Sequence, residues 1–196
     1  MSLKLNEVEE EDRGILAPCG IICLGCEFHI GESIEAAKIL KEIWEGWNME
    51  DVGPFLGLNL KEIKTTLKTL DKIIKMSKKG NCPGCFVRKD PSQNCEITNC
   101  VKSKGYWTCA ECDEYESESE FPCPHIKHVQ IPMTDKGSMM GIICKRYSRD
   151  NVQNLNKCRE IGYPEFIKET KKKVADGWRT WQVISKEKVF TNFGNK

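Results

Sequence analysis

Ten cysteines form a punctuated series: Cys19, Cys23, Cys26, Cys82, Cys85, Cys95, Cys100, Cys109, Cys112 and Cys123. Three of its steps are C-x-x-C, one is C-x3-C and one is C-x4-C. Thiolates on one tetrahedral metal lie within about 4 Å of each other, because Zn–S bonds are roughly 2.3 Å long. A two-residue turn places them there at little backbone cost. One such step is common by chance, but a series is not. In a reducing compartment clustered cysteines read as metal ligands rather than disulfides.

Closed all-sulfur tetrahedra suit zinc, and thiolates also hold iron–sulfur clusters. Zn2+, in two or more sites, is the expected cofactor, with an iron–sulfur cluster as the alternative. The C-x3-C-x2-C step at Cys19–Cys26 matches the cluster motif of radical S-adenosylmethionine enzymes. Those enzymes need a run of β/α units, which this chain does not offer. The most economical wiring gives one site to Cys82, Cys85, Cys95 and Cys100. Cys109 and Cys112 then join two of Cys19, Cys23 and Cys26. Cross-braced pairings are equally legal at this level.

Cys123 with His125 could complete a third site or replace a member of the second, and His29, three residues after Cys26, is another candidate ligand. A lone histidine beside a cysteine cluster is more often a hydrogen-bonded surface group. Cys144 and Cys158 lie outside the series and read as buried free cysteines.

The elements that must position these thiols are helical. The fold class expected is mainly α, with small irregular or β metal knuckles and helices packed around a Cys-rich centre. Residues 1–14 are acidic and polar and read as a disordered arm. Residues 15–130 read as the Cys-rich domain, with helices at about 33–48 and 59–79 inserted into it. Residues 131–196 read as a helical extension packing on the same domain.

Ser33 is a candidate N-cap for the first helix, whose Ala37, Leu40, Ile43, Trp44 and Trp47 share a face. Asn59 with Glu62 makes a capping-box-like start for the second. Its Leu60, Ile63, Leu67, Leu70 and Ile74 form a stripe, and Gly80 ends the run. Residues 141–144 are a candidate strand and residues 151–160 a short helix. Pro164 opens a helix to about residue 182, with Ile167, Thr170, Val174, Trp178 and Trp181 on one face.

Between residues 80 and 125 large apolar side chains are sparse. Ordering a residue costs about 1–2 kcal/mol, whereas a structural zinc supplies roughly 10–16 kcal/mol in finger peptides. Metal is therefore the expected folding nucleus of this segment.

The formal charge of +1 needs correction, since a four-thiolate zinc site carries about −2. A near-neutral or acidic protein has no global pull on a polyanion. Lys61, Lys64, Lys68, Lys72, Lys75, Lys78 and Lys79 stud the second helix, and a solvated face is the simpler reading. No P-loop, His-Glu-x-x-His step, dinucleotide glycine fingerprint or nucleophile elbow is present. No apolar run approaches the roughly 18 residues that cross a bilayer. The N-terminus lacks a secretory pattern, so a soluble, cytoplasmic protein is expected.

Taken together, the ordered motifs resemble a Cys-rich, zinc-ribbon-like family of unknown function found in bacteria and archaea. The elements are Cys19-Gly20-Ile21-Ile22-Cys23-Leu24-Gly25-Cys26, Cys82-Pro83-Gly84-Cys85, Cys95-Glu96-Ile97-Thr98-Asn99-Cys100, Cys109-Ala110-Glu111-Cys112 and Phe121-Pro122-Cys123. Many members carry a further cysteine where this chain has Ser92. The resemblance implies metal binding and supplies no reaction. The function expected is that of a zinc-binding protein with structural metals, serving protein–protein interaction rather than catalysis. A nucleic-acid partner is the less favoured alternative.

Overall fold

The computed structural model describes residues 3–76, 81–89, 95–116 and 150–183. Seven α-helices occur among them: α1 (Glu27–Ile30), α2 (Glu32–Gly46), α3 (Met49–Val52), α4 (Leu60–Met76), α5 (Glu96–Lys104), α6 (Asn151–Ile161) and α7 (Tyr163–Ala175). No strand is present among the described residues beyond an isolated Leu16–Ile22 bridge. The protein is mainly helical, as expected. The candidate strand at 141–144, Gly80, Lys78, Lys79, Ser92, Cys123, His125 and Cys144 lie outside the described residues.

The chain divides into two compact units, one of Met1–His29 with Pro83–Lys196 and one of Ile30–Cys82. The two inserted helices, α2 and α4, fall within the second unit. In that insert α2 packs on α4. The capping box at Asn59 forms in both directions. The Asn59 amide donates to Glu62 Oε2 at 2.9 Å and the Glu62 amide to Asn59 Oδ1 at 3.0 Å. Ile63 and Leu70 from the α4 stripe are buried, while Leu60 is exposed.

The first insert helix departs from expectation. Its N-cap is Gly31, not Ser33. Of its apolar arc only Ala37 is buried, and Leu40, Ile43 and Trp47 face solvent. The arc is wider than the α4 surface available to cover it.

In the larger unit a single core joins residues distant in sequence. Leu16, Ile22, Ile97, Val101, Trp107, Ala110, Tyr115, Leu155, Tyr163 and Phe166 all belong to it. Trp107 and Tyr163 meet edge to face with centroids 4.8 Å apart, a geometry the ring quadrupoles favour. The cysteine-rich segment therefore does bury apolar surface, by sharing the core of α6 and α7.

Residues 3–14, expected to be a disordered arm, instead form two 3-10 turns, Leu5–Glu7 and Glu10–Gly14. Leu3 and Val8 enter the core, and the Trp107 indole donates to the Arg13 carbonyl at 3.0 Å. Those spaced apolar residues are hidden in the sequence by the acids between them. The last helix also stops early, at Ala175 instead of about 182, because Asp176-Gly177 breaks it. The chain then turns back through a 3-10 turn at Thr180–Val183.

Candidate metal centre

Cys19, Cys23 and Cys26 ride on a tight hairpin. Its loop is Pro18-Cys19-Gly20, closed by bonds from the Ala17 amide to the Ile21 carbonyl and from the Gly20 amide to the Ala17 carbonyl, both 2.8 Å. Pro18 presets the turn, and Gly20 adopts φ +93°, a left-handed conformation that glycine takes without strain. A Cβ there would also meet the Asn151 carbonyl oxygen at 2.2 Å. The Cys26 amide then bonds the Cys23 carbonyl at 2.9 Å. The turned-back tail braces this segment. Thr180 Oγ1 donates to the Ile22 carbonyl at 2.7 Å and the Thr180 amide to the Gly25 carbonyl at 2.9 Å.

The Pro83-Gly84-Cys85 knuckle docks on the same region, backbone against backbone. A Cβ on Gly84 would lie 2.5 Å from the Gly14 carbonyl oxygen, and one on Gly14 would lie 2.4 Å from that of Pro83. Two glycines thus let the knuckle approach until Cys85 hydrogen-bonds Cys23. The Cys23 thiol also donates to the Ile21 carbonyl at 3.7 Å. The bond from Cys23 and the charge of Arg88 lower Cys85 to about 7 against its own burial. The bond to Cys85, burial and neighbouring charge hold Cys23 well above the usual thiol range. Cys26 adds to the charge around Cys23.

A second gathering sits between α5 and the Cys109 knuckle. Ile97, Cys100, Val101 and Lys104 recur at helical spacing on α5 and face a cavity of about 20 Å3, together with Tyr106, Cys109, Cys112 and Glu114. That is about the room of one water molecule. Lys104 Nζ lies 3.5 Å from Cys112 Sγ and 3.4 Å from a Glu114 oxygen. Cys112 first, and Glu114 after it, raise the Lys104 ammonium above its ordinary value.

The Cys109–Cys112 knuckle is held from behind by groups that the cysteine spacing does not reveal. Thr108 caps its 3-10 turn, accepting from the Ala110 amide at 3.1 Å, and Glu111 Oε1 accepts from the Thr108 amide at 3.2 Å. Tyr163 Oη donates to the same Glu111 oxygen at 2.9 Å. Arg159 of α6 donates to three carbonyls, those of Ala110 (2.8 Å), Cys112 (2.7 Å) and Tyr115 (3.1 Å). The Thr-x-x-Glu pattern at Thr108–Glu111 was a readable signal for the cap. Nothing near Arg159 in sequence announces its role. The Cys109 amide bonds the Pro18 carbonyl at 2.9 Å, so the hairpin loop and this knuckle meet directly.

The remaining thiols are placed as follows. Cys95 precedes α5 and is exposed, although Cys100 is half-buried. Five residues of helix rotate by about 500°, so a C-x4-C step on a helix does not put both thiols on one side. Cys82 is half-buried and is the last residue of the helical insert. Cys158 is fully buried in the core, where burial pushes its thiol far above the ordinary range. His29 sits in α1.

Among the described residues no three His, Cys, Asp or Glu side chains are arranged to hold a metal ion as they stand. The donor chemistry still fits a thiophilic ion. Cys23 lies against Cys85 with Cys26 close by, and Cys100, Cys109 and Cys112 share one cavity. This grouping, Cys23 with Cys85 and Cys100 with Cys109 and Cys112, differs from the most economical wiring. Among the described residues no helix is long and apolar enough to cross a membrane.

A family model described as a protein of unknown function (DUF3795) matches residues 15–128, more than half of the chain. The chain belongs to the DUF3795 family. No curated protein and no solved structure matches it. The DUF3795 region covers every cysteine of the series and stops before α6 and α7. Arg159, Tyr163 and Thr180 brace its knuckles from outside that region.

Proposed function

We propose that this DUF3795 chain is an intracellular zinc-binding protein whose metals are structural and which serves protein–protein interaction. The observation that carries it is the convergence of Cys100, Cys109 and Cys112 on one cavity from two separate elements. The apposition of Cys23 and Cys85, which are 62 residues apart, supports it independently. Each gathering contributes thiols to one ion, and further cysteines of the series complete the ligand sets. A ligand set made wholly of thiolates leaves no open position for substrate.

Anaerobic purification without chelator, followed by elemental analysis and an absorption spectrum, tests this reading. At least one zinc per chain and a colourless solution are expected. Brown protein absorbing near 400 nm selects an iron–sulfur cluster instead, and less than one zinc per chain rejects the reading. Chelation is expected to lower hydrogen-exchange protection around residues 97–112 while leaving Leu60–Met76 as it was.

A further inference from the structure

Large exposed apolar side chains are concentrated in the helical insert. Ile39, Leu40, Ile43, Trp47, Val52, Phe55, Leu56, Leu60 and Met76 all lie there, against Val87 and Trp181 elsewhere among the described residues. Ile39, Ile43 and Trp47 recur every four residues along α2 and are 58%, 46% and 62% exposed. With Leu40 they form a ridge about 12 Å long at 1.5 Å per residue. Trp47 and Phe55, the latter 91% exposed, leave on the order of 300 Å2 of aromatic surface in water. Exposed apolar patches of this order on monomeric proteins are often functional.

The flank of this ridge is acidic. α2 carries Glu32, Glu35, Glu42 and Glu45 against Lys38 and Lys41. Glu35 and Glu42 lie at the i−4 and i+3 positions from Ile39, beside the ridge. Both lysines are engaged within the insert, Lys38 with Glu35 at 2.6 Å and Lys41 with Glu45 at 2.8 Å and Asp71 at 3.4 Å. A second copy pairing through this face would bring the same carboxylates to it, and an anionic membrane would meet them as well.

From this ridge and its acidic flank we infer that the outer face of α2 docks a cationic amphipathic helix of a partner protein. The partner's apolar side chains at i, i+4 and i+7 would seat on Ile39, Ile43 and Trp47, with Lys or Arg at its edges toward Glu35 and Glu42. This rests on reading the chain as an interaction module and names the chemistry of what it binds.

The probe is a fluorescein-labelled 18-residue helical peptide with leucine at a and d positions and lysine elsewhere. Its anisotropy is titrated with the full, metal-analysed chain at 0.15 M salt. Saturable binding is expected, weakened at least tenfold by Ile43→Glu or Trp47→Glu. A similar loss is expected when the peptide's lysines become glutamate, or when its leucines are scrambled at constant charge. Both protein variants alter exposed side chains, and an unchanged circular dichroism spectrum confirms their folding. No binding, equal binding by Ile43→Glu, equal binding of the scrambled peptide, a dimer that Ile43→Glu dissociates, or co-sedimentation with anionic vesicles would each overturn the inference. Stoichiometric zinc without peptide binding sinks this inference and leaves the metal reading intact. Peptide binding without zinc does the reverse.

Discussion

Replacing Arg159 with methionine keeps most of the side chain's length and removes its five N–H donors. Three backbone carbonyls of the Cys109 knuckle, those of Ala110, Cys112 and Tyr115, lose their partner at once. The guanidinium also sits 4.5 Å from the Tyr115 ring centroid. Hydrogen bonds from a charged donor contribute about 1.5–3 kcal/mol each. Arg159 is only half-buried, so water replaces part of that, and a net loss of about 3 kcal/mol is expected. Because the knuckle carries Cys109 and Cys112, affinity at the proposed zinc site should also fall, by about 10–100-fold. Urea unfolding at fixed free zinc gives the first quantity, and competition with a chromophoric chelator gives the second. Arg159→Lys should lie between, since a single ammonium cannot span three carbonyls. A midpoint shift equivalent to less than about 0.5 kcal/mol, the range of an ordinary surface substitution, together with unchanged zinc affinity, would refute the argument.

Two further outcomes follow from the same geometry. Gly20→Ala must adopt φ +93° and place a methyl 2.2 Å from the Asn151 carbonyl oxygen. It should cost about 3 kcal/mol or more, whereas Gly46→Ala, with nothing within 4 Å, should be neutral or stabilising by up to about 1 kcal/mol. Equal thermal midpoints for the two variants would contradict the placement of the hairpin against α6. Cys158 is held above its ordinary value by burial, so the folded state keeps the proton that the unfolded chain loses. Stability should therefore be unaffected below the unfolded thiol value and fall above about pH 9, by at most about 1.4 kcal/mol per pH unit. Denaturant titrations from pH 7 to 10.5 should show a shallower decline for Cys158→Ala, and identical slopes would dismiss the burial argument.

What could be read from sequence alone is what neighbouring residues settle among themselves. Asn59 and Glu62 are three residues apart, and their reciprocal bonds need nothing beyond the first turn of α4. Pro164 marks the first turn of α7 for the same reason, and each C-x-x-C step specifies a local bend. Local spacing also marked the thiols out as a candidate set. It could not pair them, because pairing depends on contacts such as Gly14 against Gly84 and the Cys109 amide on Pro18. Packing between distant segments brought Cys23 to Cys85 and gathered Cys100, Cys109 and Cys112. It also drew Leu3 and Val8 into the core and left the ridge of α2 uncovered. A helix pattern records how much apolar surface a segment carries, but only the size of the neighbouring surface decides how much of it is buried.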